Sequence, residues 1–141
     1  MKVRIIFLSA FLILSVACSK NRNHPVPSVA LDVTIDINLP SYSDLAGVGG
    51  WTYVNGGSKG VIVYRRSTEE FVAFDRHSPA DEAGDCKTPL TPSEDNFLEL
   101  LDECNDAKFS LYDGSPIKNS DFGLRQYQTL FNGNNLLRIY N

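Results

Sequence analysis

Residues 29–39 alternate apolar and polar side chains along their whole length. The apolar members are Val29, Leu31, Val33, Ile35, Ile37 and Leu39. A period of two is typical of a β-strand that buries one face, because successive side chains point to opposite sides of a sheet. Pro40 has no N–H to give to a ladder and is expected to end this strand.

The rest of the chain predicts short strands separated by turns. Apolar runs mark seven further strands, at residues 51–54, 61–65, 71–74, 96–101, 108–112, 124–130 and 136–140. Asn-Gly-Gly at 55–57 and Asp-Gly at 113–114 favour turns, since Asn, Asp and Gly adopt positive φ at low cost. A long polar loop is expected at residues 76–95. This pattern predicts an all-β fold, a small sandwich or barrel of short antiparallel strands with two long loops.

The first residues of the chain have a different composition. Lys2 and Arg4 precede an apolar run, residues 5–17, that only two serines interrupt. A bilayer-spanning helix needs about 20 apolar residues, so this shorter run is typical of a signal peptide. We expect residues 1–17 to be removed. Loss of its two basic residues would change the formal charge from −4 to about −6.

The cleavage region places small residues directly before a cysteine, in the order Ser15-Val16-Ala17-Cys18. This segment resembles a bacterial lipobox, although that family usually has Leu where Ser15 stands. The resemblance implies that Cys18 is lipidated and that the protein is anchored in the cell envelope. Ser19 is compatible with sorting to the outer membrane, facing the periplasm. The alternative is an ordinary secretory signal that leaves Cys18 as an odd, reactive thiol.

Residues 18–28 are polar and contain two prolines. They predict a flexible tether in which His24 is solvated. The globular domain is then expected over residues 29–141.

Two cysteines remain when Cys18 is assigned to the lipid. Cys86 and Cys104 would lie in an oxidising compartment, where cysteines most often pair. A disulfide between them is therefore expected, stabilising the fold by roughly 3 kcal/mol. The alternative is that both thiols stay reduced and buried.

Five stretches of the chain follow one another in a recognisable order. They are 60–65 (GVIVYR), 71–80 (FVAFDRHSPA), 102–109 (DECNDAKF), 112–116 (YDGSP) and 137–141 (LRIYN). Together, residues 51–141 resemble a Rieske-type iron–sulfur domain. In that family a strand ending in Ala leads to a Cys-Pro-His loop. A second loop, with Cys-Pro-x-His-Gly, precedes an aromatic residue, a Gly- and Pro-containing turn and two closing strands. The alternative is a set of generic hairpins with similar spacing.

The ligands of the family's cluster are absent from the matching positions. A Rieske [2Fe–2S] centre needs two thiolates and two imidazoles. Aligned on the flanking strands, the four ligand positions hold Ser78, Ala80, Asp102 and Asn105. None of them offers a thiolate or an imidazole, and iron–sulfide chemistry selects soft ligands. The resemblance therefore implies a degenerate cluster site, and no cofactor is expected.

The resemblance also bears on the two cysteines. Many respiratory-chain members carry a cysteine at the position of Cys104, bonded to one that follows the first ligand loop. Cys86 lies where that partner is expected, somewhat displaced by an insertion. The resemblance implies a fold that keeps its link between loops and has lost its metal.

These observations favour a membrane-anchored lipoprotein with a non-redox binding or structural role, whose partner is an unidentified envelope protein. One alternative is electron transfer by a cluster with unusual ligands, for which His77, Asp102 and Cys104 would have to serve. Another is thiol–disulfide exchange, although catalytic dithiols are usually close in sequence.

Two further classes of function find little support in the sequence. Mild acidity gives no reason to expect a nucleic-acid partner, since phosphate backbones are bound by basic patches. A hydrolytic set of Asp75, His77 and Ser78 is not expected, because neighbouring residues on a strand point to opposite faces. We therefore expect that the protein is not an enzyme.

Overall fold

The computed structural model describes residues 23–141, so the predicted signal peptide and Cys18 lie outside the described residues. The described chain forms ten β-strands and one 3-10 helix, Pro40–Ala46. The strands are β1 (Asp32–Asp36), β2 (Trp51–Val54), β3 (Val61–Arg65), β4 (Phe71–Asp75), β5 (Thr91–Pro92), β6 (Glu99–Asp102), β7 (Ala107–Ser110), β8 (Pro116–Lys118), β9 (Gln126–Phe131) and β10 (Leu136–Tyr140). The prediction of an all-β fold is confirmed.

The strands belong to two antiparallel sheets. The larger, curled sheet has the order β1-β10-β9-β4-β3-β2, and the smaller has the order β5-β6-β7-β8. Strands β4 and β9 are neighbours in the large sheet, where Ala73 is paired with Tyr127 and Phe74 with Gln126. The whole small sheet is therefore an insertion between these two neighbours, and it leaves the large sheet where β4 ends and β9 begins.

The hairpin β3–β4 lies between two hydrophobic clusters. Alternate side chains of its strands, such as Val63 and Ala73, pack into a cluster with Tyr127 and the inner faces of β1 and β10. The others, such as Ile62 and Phe74, pack against residues of the small sheet. Every residue of β3 and β4 is buried, which accounts for their nearly continuous apolar sequence.

The N-terminal segment is fixed to the domain earlier in the chain than the boundary predicted at residue 29. Val26 is completely buried, and its carbonyl oxygen accepts hydrogen bonds from Nε and Nη2 of Arg125 at 2.9 and 2.6 Å. The ring of His24 is bonded to the carbonyl oxygen of Gly123 at 2.9 Å. The prediction that His24 is simply solvated is wrong, because a tertiary contact with the β8–β9 connection holds it.

Candidate functional site

Three connections meet at the edge where the small sheet leaves the large one. They are residues 76–90 between β4 and β5, residues 103–106 between β6 and β7, and residues 119–125 between β8 and β9. We call this region the loop end. It contains three of the predicted ligand positions, Ser78, Ala80 and Asn105, and both cysteines of the domain. The fourth position, Asp102, is the last residue of β6 and directly precedes the second connection.

A disulfide joins the first two connections. Cys86 and Cys104 are bonded, with their Cα atoms 5.9 Å apart, which confirms the predicted disulfide. Cys86 is buried, whereas Cys104 is exposed at the surface of the loop end. The bond therefore ties a loop of the insertion directly to the segment that follows β4.

Asp75, the last residue of β4, fixes the chain where it enters the loop end. Its side chain is fully buried and accepts four hydrogen bonds. The donors are the amides of Ser58 (2.6 Å), Lys59 (3.2 Å) and His77 (2.8 Å) and the hydroxyl of Tyr127 (2.7 Å). Burial, and then the hydrogen bond to the Asp75 carboxylate, raise the pKa of Tyr127, so the hydroxyl keeps its proton and remains a donor.

Gly57 permits this close approach of the β2–β3 turn to Asp75. Its φ is +66°, a conformation that L side chains rarely adopt. A Cβ atom there would lie 2.5 Å from both the Asp75 carboxylate and the Tyr127 hydroxyl oxygen. Glycine is therefore required both by the backbone conformation and by the space.

His77 joins the same turn to the long loop. Its Nδ1 lies 2.8 Å from the hydroxyl of Ser58, and its Nε2 lies 3.7 Å from a carboxylate oxygen of Asp81. The ring is 8% exposed. Burial lowers the pKa of His77, and the positive charge of Lys59 lowers it further, against the opposing effect of the nearby carboxylates.

Asp81 organises the turn that ends at the disulfide. Lys59 donates to its carboxylate at 3.1 Å, and so do the amides of Asp85 and Cys86. Burial alone would raise the pKa of Asp81, but the Lys59 ammonium and these amides outweigh it and lower the pKa. Lys59 also donates to the Cys86 carbonyl oxygen, so one lysine holds both ends of the turn.

The four predicted ligand positions have different surroundings. Ser78 is buried, and its hydroxyl accepts from the Ala80 amide at 3.1 Å. Asp102 is buried and caps the β6–β7 turn, accepting from the amides of Cys104 (2.9 Å) and Asn105 (3.1 Å). Ala80 and Asn105 line a common groove with both cysteines. The structure thus places Ala80 and Asn105 in one groove, whereas Ser78 and Asp102 each accept hydrogen bonds within their own turns.

The donors at the loop end do not fit a Rieske cluster. Within residues 23–141, one group of three possible metal-binding side chains has its ligand atoms within 4.8 Å of one another: Cys86, Asp102 and Cys104. Both sulfur atoms of that group are used in the disulfide. The cluster requires two thiolates and two imidazoles, and the two imidazoles at this end of the domain are both bonded elsewhere, His77 to Ser58 and His24 to the Gly123 carbonyl oxygen.

Two grooves border these residues. The first has a volume of about 480 Å³ and lies between the 80–86 segment and residues 104–105. The second, of about 420 Å³, lies between Pro79, Ala80 and Glu82 on one side and residues 119–121 on the other. Ala80 and Glu82 line both, so the grooves share a wall at the tip of the disulfide-bonded loop.

The hydrolytic set considered from the sequence is not assembled. Asp75 accepts from the backbone amide of His77 rather than from its ring, and Ser78 is bonded to the Ala80 amide. The imidazole instead contacts Ser58 and lies near Asp81, two residues that the sequence did not single out. Their approach depends on the β2–β3 turn folding over β4, and no local sequence signal reveals that contact.

Comparison of the chain with protein-family models, with curated proteins and with solved structures gave no match. Across residues 23–141, none of the helical segments has the length and apolar character needed to cross a bilayer.

The burial of His77 has a measurable consequence for pH dependence. Because its folded pKa is lowered, the unfolded chain binds a proton first as the pH falls below about 6.5. The free energy of unfolding should therefore be highest above that pH and decline as the pH falls below about 6.5. Urea unfolding at a series of pH values measures this slope.

Variants of His24 and His77 show which residue causes this pH dependence of the free energy of unfolding. His77→Asn should flatten the slope, since Asn offers a polar atom near the Nδ1 position but does not titrate. His24→Ala should leave most of the His77 contribution in place, because the charge of His24 is the smallest influence on the pKa of His77. A slope unchanged in His77→Asn would contradict this assignment.

Proposed function

We propose that this protein is a lipid-anchored lipoprotein of the cell envelope, with a non-redox binding or structural role and a degenerate Rieske-like domain. The observation that carries the proposal is the disulfide between Cys86 and Cys104. It joins covalently the two loops that would hold a cluster, and it uses the only pair of sulfur ligands in residues 23–141.

The order of elements supports the Rieske-like part of this proposal. Strand β4 ends near Ala73, the disulfide-bonded loop follows, and β6 leads into the second loop, which precedes β7 and Phe109. The chain then turns at Gly114 and closes with β9 and β10. This is the order in which the sequence resembles that family.

The side chains at the predicted ligand positions support the non-redox part. Ser78 and Asp102 satisfy backbone amides, so each has a structural task in its own turn. The side chain of Ala80 has no atom that could bind a metal. Asn105 donates through Nδ2 to the Asp102 carboxylate at 2.9 Å. The loop end is held by hydrogen bonds and one disulfide, and it presents two grooves to a partner.

Metal analysis tests the proposal. The full-length protein would be expressed with its signal, extracted from membranes under anaerobic conditions and examined for iron, visible absorption and electron paramagnetic resonance. We expect no stoichiometric iron and no Rieske-type spectrum. Two irons per chain would overturn the non-redox role and support the electron-transfer alternative.

The lipid anchor is tested separately. Mass spectrometry of the membrane-extracted protein should find an acylated N-terminal Cys18. Cys18→Ser should abolish membrane association, whereas the matched variant Ser19→Ala should keep it. A soluble wild-type protein with an unmodified Cys18 thiol would exclude lipid anchoring.

A further inference from the structure

Residues 24–26, which we call the strap, are held on the β8–β9 connection. The side chains responsible are His24 in the strap and Arg125 in the connection. Arg125 places two guanidinium donors on the Val26 carbonyl oxygen. The Val26 amide donates to Nδ1 of His24 at 3.2 Å, so Nε2 carries the proton that is donated to Gly123. The His24 ring also meets the edge of Phe122, with the ring centroids 5.8 Å apart.

The strap lies at the loop end of the domain. Its contacts are residues 122–125, which directly follow the groove-lining residues 119–121. The opposite end of the large sheet carries the β9–β10 turn, residues 132–135. A six-residue strand such as β9 is about 20 Å long, so the two ends are separated by about that distance.

The strap limits how the domain is oriented on a lipid anchor. A fully extended chain from Cys18 to His24 spans at most about 20 Å. If the strap were released, the free chain would extend to Val29, whose carbonyl oxygen accepts from Nδ2 of Asn141, and could span about 40 Å. The longer chain would allow the domain to turn over, whereas the shorter one keeps the strap's attachment point close to the anchor.

We infer that the loop end is the membrane-proximal face of the domain and that the strap holds it there. The inference rests on the proposed lipidation of Cys18. It places the two grooves next to the lipid headgroups, and the β9–β10 turn away from them. The exposed carboxylates Glu82 and Asp85 at this end favour a face that lies near the headgroups without inserting among them.

Förster resonance energy transfer from a labelled cysteine of the protein to a labelled lipid tests this orientation. Acylation of Cys18 and the disulfide leave no other thiol in the mature chain, so one introduced cysteine can be labelled alone. Glu82→Cys labels the loop end and Asn134→Cys labels the β9–β10 turn; both positions are exposed. The lipoprotein would be reconstituted into phosphatidylcholine vesicles that contain an acceptor-labelled lipid.

We expect more efficient transfer from position 82 than from position 134. Combining each label with Arg125→Ala and Val26→Gly should reduce the difference, because the strap is then weakened and the free chain before β1 is longer. Arg66→Ala, which removes a guanidinium at the other end of the β3–β4 hairpin, should preserve it. Equal transfer from the two positions in the otherwise unaltered lipoprotein, or greater transfer from position 134, would overturn the inference.

Hydrogen exchange separates release of the strap from loss of the fold. The amide of residue 26 should exchange faster in the strap variant than in the unaltered protein, while the amides of β3 and β4 stay protected. If mass spectrometry finds Cys18 unacylated, the proposed anchor fails. Proteins that carry an azide-bearing residue at position 82 or 134, labelled there by cycloaddition and coupled through the Cys18 thiol to a maleimide lipid, then test the strap's geometry without the natural anchor.

Discussion

Replacing Cys86 and Cys104 together by serine is expected to lower the free energy of unfolding by about 3 kcal/mol. The two residues are 18 apart in sequence, and opening a loop of that length restores conformational entropy to the unfolded chain. Urea unfolding of the oxidised protein and of the double variant, with the midpoint and the slope fitted together, gives the difference.

Reduced wild-type protein is the matched control for this double variant. It lacks the covalent link but keeps both sulfur atoms, so it should be destabilised by nearly the same amount. The fold should survive in both, because Asp81 and Asp102 hold their turns with bonds that do not involve sulfur. A loss below about 1 kcal/mol would show that the unfolded chain is already constrained, or that the loops relax when the bond is opened.

Strands with a strong pattern were predictable at nearly residue precision. The runs at 51–54, 61–65 and 136–140 correspond to β2, β3 and β10. The alternating run at 29–39 forms a strand only at Asp32–Asp36. Alternation continues beyond the ladder because Ile37 is still buried, while a backbone bond from Leu39 to Asp36 already turns the chain.

Two strands were not predicted, for a physical reason. β5 (Thr91–Pro92) and β8 (Pro116–Lys118) are two and three residues long, and each contains a proline. They are the edges of the small sheet, where a residue without an N–H is tolerated. Their extended conformation comes from pairing with β6 and β7. The periodicity of their own sequences therefore does not predict it.

The candidate site was only partly accessible from the sequence. The disulfide could be predicted because the chain has three cysteines, and assigning Cys18 to the proposed lipid leaves a single pair. The network of Ser58, Lys59 and Asp81 could not, since charged residues in a polar loop usually remain solvated. Here Lys59 and Asp81 lie largely out of solvent because they are bonded to each other and to the backbone of Cys86. The strap was missed similarly, because one buried valine between two prolines has no periodicity.

Replacing Asp75 by alanine is expected to cost at least about 3 kcal/mol of the free energy of unfolding. Four donors lose their acceptor at once, and three of them are backbone amides that cannot move away. A buried amide without a partner costs about 1–3 kcal/mol, although water entering the space left by the carboxylate would recover part of the loss.

Tyr127→Phe is the matched control, since it removes one donor and leaves the carboxylate with its three amides. It should cost about 1 kcal/mol, and urea unfolding of both variants under the same conditions gives the comparison. If Asp75→Ala costs no more than Tyr127→Phe, the amides are satisfied in some other way. The β2–β3 turn would then be fixed by packing alone, and Asp75 would not determine where the chain enters the loop end.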